Sequence, residues 1–428
     1  MLKKTSALLF TLAIATTAVA ENPLLDSQFW KNASQESLAR TLEAGHSVTD
    51  ITDNDYTPLL LALRNDATPS MIESLIEAGA DVNRIGHDGR TALFYAGSSG
   101  HLDLLEKIIQ HNPNIDILDH GGRNALLFAV NSQPSEAIIS AFIELGFDIK
   151  ALDKAQRNAA HIAAQRTETV DYIEFLGKLG VDLTAKDGEG RDVFFNALYR
   201  NTNLNVIQWL APTKNLKKQV DNRGQNAMLV AAYRNNNRSV FDFLLTEGVS
   251  AKAIDNQGNT GLLIASERNS VEVIDFFIQQ GNDVNHKNSQ GNTALLMATK
   301  RTANNDVRRS DNIKITINIL TAGANTSAVD NYGNNALHNA LSYQQPIEVI
   351  QQLVNAGVPL NHTNNEGLSP LMQAALIAQN SEVIELLLES GADPGIEDDF
   401  GDTAWVLIQD NPHLRASKAF LQLQAATL

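Results

Sequence analysis

A motif of about 34 residues returns along most of this chain, and no other feature restricts its fold as tightly. The stretch Asp255–Lys287 shows one full unit. A turn signal at Asp255 and Gly258 precedes a helix N-cap at Thr260 and a short apolar helix over Leu262–Glu267, which Asn269 breaks. A second helix over Val271–Gln280 carries Val273, Ile274, Phe277 and Ile278 at helical spacing, and Gly281 ends it. Neither helix buries its apolar face alone, so the unit is stable only when stacked between copies of itself.

The phase can be counted on the N-cap: Thr57, Thr91, Asn124, Asn158, Asp192, Asn226, Thr260, Thr293, Asn335, Ser369 and Thr403. Successive spacings are 34, 33, 34, 34, 34, 34, 33, 42, 34 and 34. Every one of these side chains can accept from the free N–H groups of a first helical turn. Two positions earlier Gly stands in nine of eleven units, with Asp55 and Gln156 the exceptions. Five positions later Ala stands in ten of eleven, with Ile408 the exception, and a small residue there lets helices approach closely.

This pattern resembles the ankyrin repeat, with its D-x-x-G-x-T-P-L-H-x-A-A turn and helix and its G-A-D-V-N exit. Gly79-Ala80-Asp81-Val82-Asn83 and Gly391-Ala392-Asp393 nearly copy that exit, and the resemblance covers Thr52–Leu428, 377 of 428 residues. It implies an all-α solenoid of helix pairs joined by β-hairpin-like turns, about eleven repeats behind an N-terminal capping helix. The repeats fall at 52–85, 86–118, 119–152, 153–186, 187–220, 221–254, 255–287, 288–329, 330–363, 364–397 and 398–428. Such a stack is one quasi-linear domain.

Ahead of it, Met1–Ala20 reads as a secretory signal peptide: Lys3 and Lys4, an apolar run over Ala7–Ala15, and Ala18-Val19-Ala20 as the cleavage site. Cleavage before Glu21 leaves 31 basic against 49 acidic residues, a charge of −18, which disfavours nucleic acid and anionic membrane as partners. The chain has no Cys, which in an exported protein fits a bacterial periplasm better than a eukaryotic secretory route. The expected location is periplasmic, with secretion as the alternative.

Residues 21–51 look like half a repeat, a lone helix over Ser37–Glu43 with Phe29 and Trp30 packed against it. In the fifth repeat Ala211-Pro212-Thr213-Lys214 replaces the helix-ending Gly, so the exit turn there should be reshaped. In the eighth, eight extra residues fall within Arg301–Ile315 and read as an enlarged loop between the helices. In the last, Trp405 and Ile408 suit an end cap with no following neighbour.

Motifs for catalysis are missing. The chain holds no H-E-x-x-H, G-x-S-x-G, Walker-type loop or G-x-G-x-x-G after a strand, and Asp187-Gly188-Glu189-Gly190 sits in an ordinary turn slot. His161 and His338 occupy equivalent slots too many repeats apart to share a metal, and they read as structural hydrogen-bonders. Glu397, Asp398, Asp399 and Asp402 lack calcium-loop spacing and read as a solvated end. No enzyme activity, metal or cofactor is expected.

One pattern points to binding. Eight residues after the N-cap, five consecutive repeats carry Arg166, Arg200, Arg234, Arg268 and Arg301. Immediately before the N-cap, four carry Arg90, Arg123, Arg157 and Arg191, and later repeats have Gln225, Asn259, Asn292 and Asn334 there. Nine of seventeen Arg thus fall in two phases, joined by Tyr199, Tyr233 and Tyr343. In ankyrin proteins both phases face the concave surface. A cation at a helix C-terminus also complements the helix dipole, by about 0.3–1 kcal/mol, and Lys would serve equally. Arg in five repeats running favours planar anions or aromatic faces instead. The expected protein is a monomeric scaffold whose basic, aromatic groove holds an acidic or extended segment of a partner protein. A secreted effector or immunity-type protein using the same groove is the alternative.

Overall fold

The computed structural model describes residues 22–212, 216–302, 306–415 and 417–427. The expected signal peptide, together with Thr213 and Lys214, lies outside the described residues. All regular structure among the described residues is helical: α-helices, mostly in short pairs, with a few 3-10 turns. None of these helices is long and apolar enough to cross a membrane. The described residues divide into two compact units, one up to Asp148 and the other from Ile149 onward.

Repeat chemistry explains the local structure. Nine of the eleven N-cap side chains accept a first-turn N–H, while Thr91 and Thr403 make no such bond. Two residues before each cap the turn needs a left-handed backbone. Glycine supplies it at Gly258, with φ +79°, and the two exceptions adopt it as well, Asp55 at 59° and Gln156 at 60°. A glycine-like turn is therefore kept where the glycine is absent, at some conformational cost to those side chains. Each turn closes on backbone bonds such as Asp255 N–H to Asn259 O at 3.0 Å. Single antiparallel bridges pair Ile254 with Thr260 and Glu397 with Thr403.

In unit 1, the helix Ala92–Ser98 packs on Ala125–Val130, and Leu102–Ile109 packs on Glu136–Glu144. In unit 2 the first helices stack in chain order, Ala159–Ala164, Val193–Arg200, Ala227–Ala232, Gly261–Arg268 and Ala294–Ala298. These helices are apolar almost all round because they are covered almost all round. Ala227, Met228, Leu229, Val230, Ala231 and Ala232 are each fully buried. The second helices present one apolar stripe each, as in Val273, Ile274 and Phe277, to the layer below.

Two sequence expectations change. The N-terminal segment carries two α-helices, Ser27–Asn32 and Gln35–Glu43, where one was expected. The short first one is held by Trp30, whose buried indole N–H donates to Leu24 O at 2.8 Å. The extra residues of the eighth repeat also differ from the enlarged loop expected there, because most are helical. Asp306–Thr321 runs 16 residues, against nine for the equivalent Val271–Gln279. Its buried positions Asn312, Ile315, Thr316 and Ile319 have helical spacing, so the core face begins at Asn312 and the first turns extend beyond it. At the C-terminal end, Trp405 meets Phe420 edge to face at 4.7 Å, and Ile408 is fully buried beneath the last helix, Lys418–Thr427.

Candidate functional site

The two arginine rows do different work. In the row before the N-cap, every guanidinium is joined to the buried aspartate of a repeat turn. Such an aspartate uses Oδ1 to accept two backbone N–H groups of its own turn, as Asp153 does from Ala155 and Arg157, both at 2.9 Å. Its Oδ2 is left for a side-chain donor. Arg123 takes Asp119 at 2.7 Å and Arg157 takes Asp153 at 2.6 Å. Arg90 reaches Asp119 at 3.4 Å, and Arg191 reaches the next turn's Asp221 at 2.7 Å. Burial works to raise the Asp119 carboxyl, but the Arg123 hydrogen bonds and the charges of Arg123 and Arg90 hold it below the ordinary carboxylate range. Where Arg gives way, the duty persists: Gln225 donates to Asp255 at 2.9 Å and Asn259 to the same oxygen at 3.1 Å. This row braces turns. In unit 1 it also stacks on aromatics, with Arg90 at 4.4 Å and Arg123 at 5.2 Å from the Phe128 ring centre.

The row eight residues after the N-cap splits. Arg166, Arg200, Arg234 and Arg268 are exposed. Arg301 is not, and burial pushes its guanidinium down to about 10. It donates to Ser266 O at 3.1 Å, to Asn269 O at 2.9 Å and to Asn312 Oδ1 at 2.8 Å. Arg301 thereby occupies a slot that asparagines hold in earlier repeats. Asn201 donates to Ala164 O and Thr167 O, Asn235 to Leu198 O and Asn201 O, and Asn269 to Ala232 O and Asn235 O, all between 2.7 and 3.3 Å. Each asparagine caps a carbonyl in the last turn of the preceding first helix, which has no partner within the helix, and a second carbonyl one to three residues beyond that helix's end. This buried ladder was missed in the sequence, although Asn stands nine residues after the N-cap in three repeats running. Arg301 therefore belongs with the ladder more than with the open row.

The exposed members converge. Arg200, Arg234 and Arg268 line one pocket of about 590 Å3 with Lys300, Arg301, Thr302, Arg308 and Tyr343. Among the described residues, six cationic side chains line it against two carboxylates, Glu267 and Asp311. Arg268 pairs with its neighbour Glu267 at 2.9 Å, and Lys300 with Asp330 at 3.2 Å. Arg200 has no hydrogen bond or ion pair among the described residues, and Arg234 has only the face of Tyr199, 5.8 Å away. Tyr199 and Tyr233 lie 6.1 Å apart beside this row, and the Tyr233 hydroxyl accepts from Gln225 at 3.1 Å. Tyr343 is half exposed at the rim. The structure thus gathers Arg200, Arg234, Arg268, Arg301 and Tyr343 at one pocket, while Arg90, Arg123, Arg157 and Arg191 lie in the turns.

Both histidines are internal fasteners. His338 accepts the Asn335 N–H on Nδ1 at 3.3 Å and donates from Nε2 to Leu368 O, in the following repeat, at 2.9 Å. His161 is held likewise, at 3.3 Å from Asn158 N and 3.2 Å from Arg191 O. Burial pushes His338 down to about 4 and lowers His161 too. Of the acidic end cluster, Asp398 is another turn aspartate, accepting from Phe400 and Asp402 at 2.9 Å.

Paired short helices, glycine-like turns and carbonyl-capping ladders define a helical-repeat protein. The family described as ankyrin repeats, in three copies, matches residues 30–119, 98–187, 228–315 and 307–398. This chain belongs to the ankyrin-repeat family. No curated protein matches it. Ankyrin repeats are as a class protein–protein interaction modules, and the proteins built from them are typically non-enzymatic scaffolds.

Proposed function

We propose that this chain is a non-enzymatic binding scaffold of eleven ankyrin repeats with an N-terminal cap. In this proposal its turns act as reduced β-hairpins, and its basic pocket and the adjoining arginine row hold an acidic, extended segment of a partner protein. The carrying observation is that Arg200 and Arg234, in a chain of net charge −16, stand in a six-cation pocket without a carboxylate of their own among the described residues. Arginine forks match carboxylates in two-point hydrogen bonds, and Tyr199, Tyr233 and Tyr343 add aromatic contact area. Arg166 would extend the row by one repeat. The signal-peptide pattern of Met1–Ala20 supports export with cleavage before Glu21, and the absence of Cys in an exported chain supports the periplasm over a eukaryotic secretory route.

Binding of fluorescent acidic and basic peptides to the purified protein tests the pocket. Acidic peptides should bind, and binding should weaken steeply as salt rises toward 1 M, where the screening length is about 3 Å. Equal affinity for basic peptides would refute the assignment. N-terminal sequencing of protein recovered from a periplasmic fraction tests the export reading, which fails if the chain still begins at Met1.

A further inference from the structure

The pocket has a wall that other repeats do not build. Along the open row Arg200, Arg234 and Arg268 follow in chain order, and Lys300 and the half-buried Arg301 of the next repeat line the pocket beyond them. In the next two repeats the same phase carries Tyr343 and Ile377, so the cations end where the lengthened helix Asp306–Thr321 stands. The first turns of that helix separate two cavities. Arg308 and Asp311 line the basic pocket, whereas Arg309 lines another, of about 340 Å3, among Gln344, Pro346, Ile377 and Gln379.

The wall is anchored. Asn312 accepts from Arg301 at 2.8 Å and donates to Gln345 Oε1 at 2.9 Å, and Gln345 donates back to Thr299 O at 3.2 Å and to Arg301 O. Asn312 and Gln345 are buried, so this network locks the inserted turns to the repeats on either side. Arg308 is tied to Thr302 at 3.2 Å, which holds the first of those turns against the pocket floor.

A strand laid along the row therefore meets a fixed partition. Three arginines on successive repeats span about 16–20 Å at helix-packing distance. An extended chain covers that in about five or six residues. A segment that had to continue would be forced out of the pocket, whereas one that stops there brings its terminal carboxylate among the cations lining the inner end.

We infer that the pocket is an end-stop: it takes the free C-terminus of an acidic segment, with the chain's last residues lying along Arg200, Arg234 and Arg268. This rests on the acidic-segment reading above and adds the direction and the terminus.

The test uses the whole mature protein and a fluorescein-labelled peptide of six glutamates in three forms: free acid, C-terminal amide, and the same peptide continued by four alanines. The free acid should bind at least tenfold more tightly than the amide, and the continued peptide should bind no better than the amide. Deleting residues 303–310, which restores the ordinary 34-residue spacing, should bring the three affinities within about twofold. If the amide and the continued peptide match the free acid on the wild-type protein, the end-stop is wrong while the acidic-segment reading stands. If none of the three binds, both are wrong. The wild-type comparison decides even if the deletion variant fails to fold.

Discussion

The ring of Phe277 occupies the space where a Cβ on Gly261 would sit, with Cε1 only 2.1 Å from that position. Gly261 is the first residue of its helix, where most other units have Ala, and it is small because the second helix of its own repeat places a phenylalanine against it. Gly261→Ala should therefore destabilise the protein by about 1–3 kcal/mol, although Ala is ordinarily the better helix former. Adding Phe277→Leu should recover part of that loss. Urea unfolding of the two single variants and the double variant measures the coupling, and additive effects would show that the two positions do not share one space.

Arg301 and Arg200 hold the same place in the repeat count but should behave as opposites. Removing Arg301 leaves the carbonyls of Ser266 and Asn269 and the Asn312 side chain without their donor, in a buried setting. Arg301→Ala should cost about 2–4 kcal/mol, since each buried acceptor left unpaired costs about 1–3 kcal/mol and some will find water. Arg200→Ala should change stability by less than about 0.5 kcal/mol, as surface substitutions usually do. Denaturant midpoints of the two variants compare them directly.

Acid should loosen the stack through its histidines. An unfolded His titrates near pH 6.5, but burial holds His338 at about 4 and lowers His161. Between those limits the unfolded chain binds protons that the folded chain refuses. Stability is therefore insensitive to these groups above about pH 7. It falls as pH drops through 6.5, and the His338 contribution stops changing below about 4. The slope for each fully depressed His is about 1.4 kcal/mol per pH unit. Leucine stands at this slot in other repeats, so a His161→Leu, His338→Leu variant should fold and should lose much of the difference in Tm between pH 7.5 and 4.5. An unchanged pH dependence would assign the effect to carboxylates instead.

The N-cap phase made most of this fold legible, because capping chemistry, the left-handed turn and the small residue five positions on are all local requirements. The helix predicted over Leu262–Glu267 is observed as Gly261–Arg268, and Val271–Gln280 as Val271–Gln279. Local reasoning failed at Asp306–Thr321, whose first turns are polar and read as loop. What holds them is the Arg301–Asn312–Gln345 network, with partners 11 and 33 residues apart in sequence. The same limit applies to the arginines. Arg157 and Arg200 look alike as repeated basic residues, and only the position of Asp153 relative to each distinguishes a brace from an open cation. A trace was present in the sequence, since an Asp stands four residues before Arg123, Arg157 and Arg191.

The two rows should separate under substitution. Arg157→Ala removes the donor from the buried Oδ2 of Asp153, whose Oδ1 keeps its two backbone partners. It should lower stability by about 1–3 kcal/mol and leave acidic-peptide affinity within twofold. Changing Arg200, Arg234 and Arg268 together to Ala should do the reverse, keeping the fold and weakening peptide binding at least tenfold. The corresponding triple Lys variant refines the point. A compact ammonium keeps the charge but loses the two-point fork, so a carboxylate bound by paired hydrogen bonds should be lost almost as with Ala, while one held by field alone should be retained. Titration of the acid peptide against all four proteins at two salt concentrations provides the comparison. Full affinity in the triple Ala variant, with a lowered Tm, would reduce the open row to a helix-end device and move the search for the binding surface elsewhere on the stack.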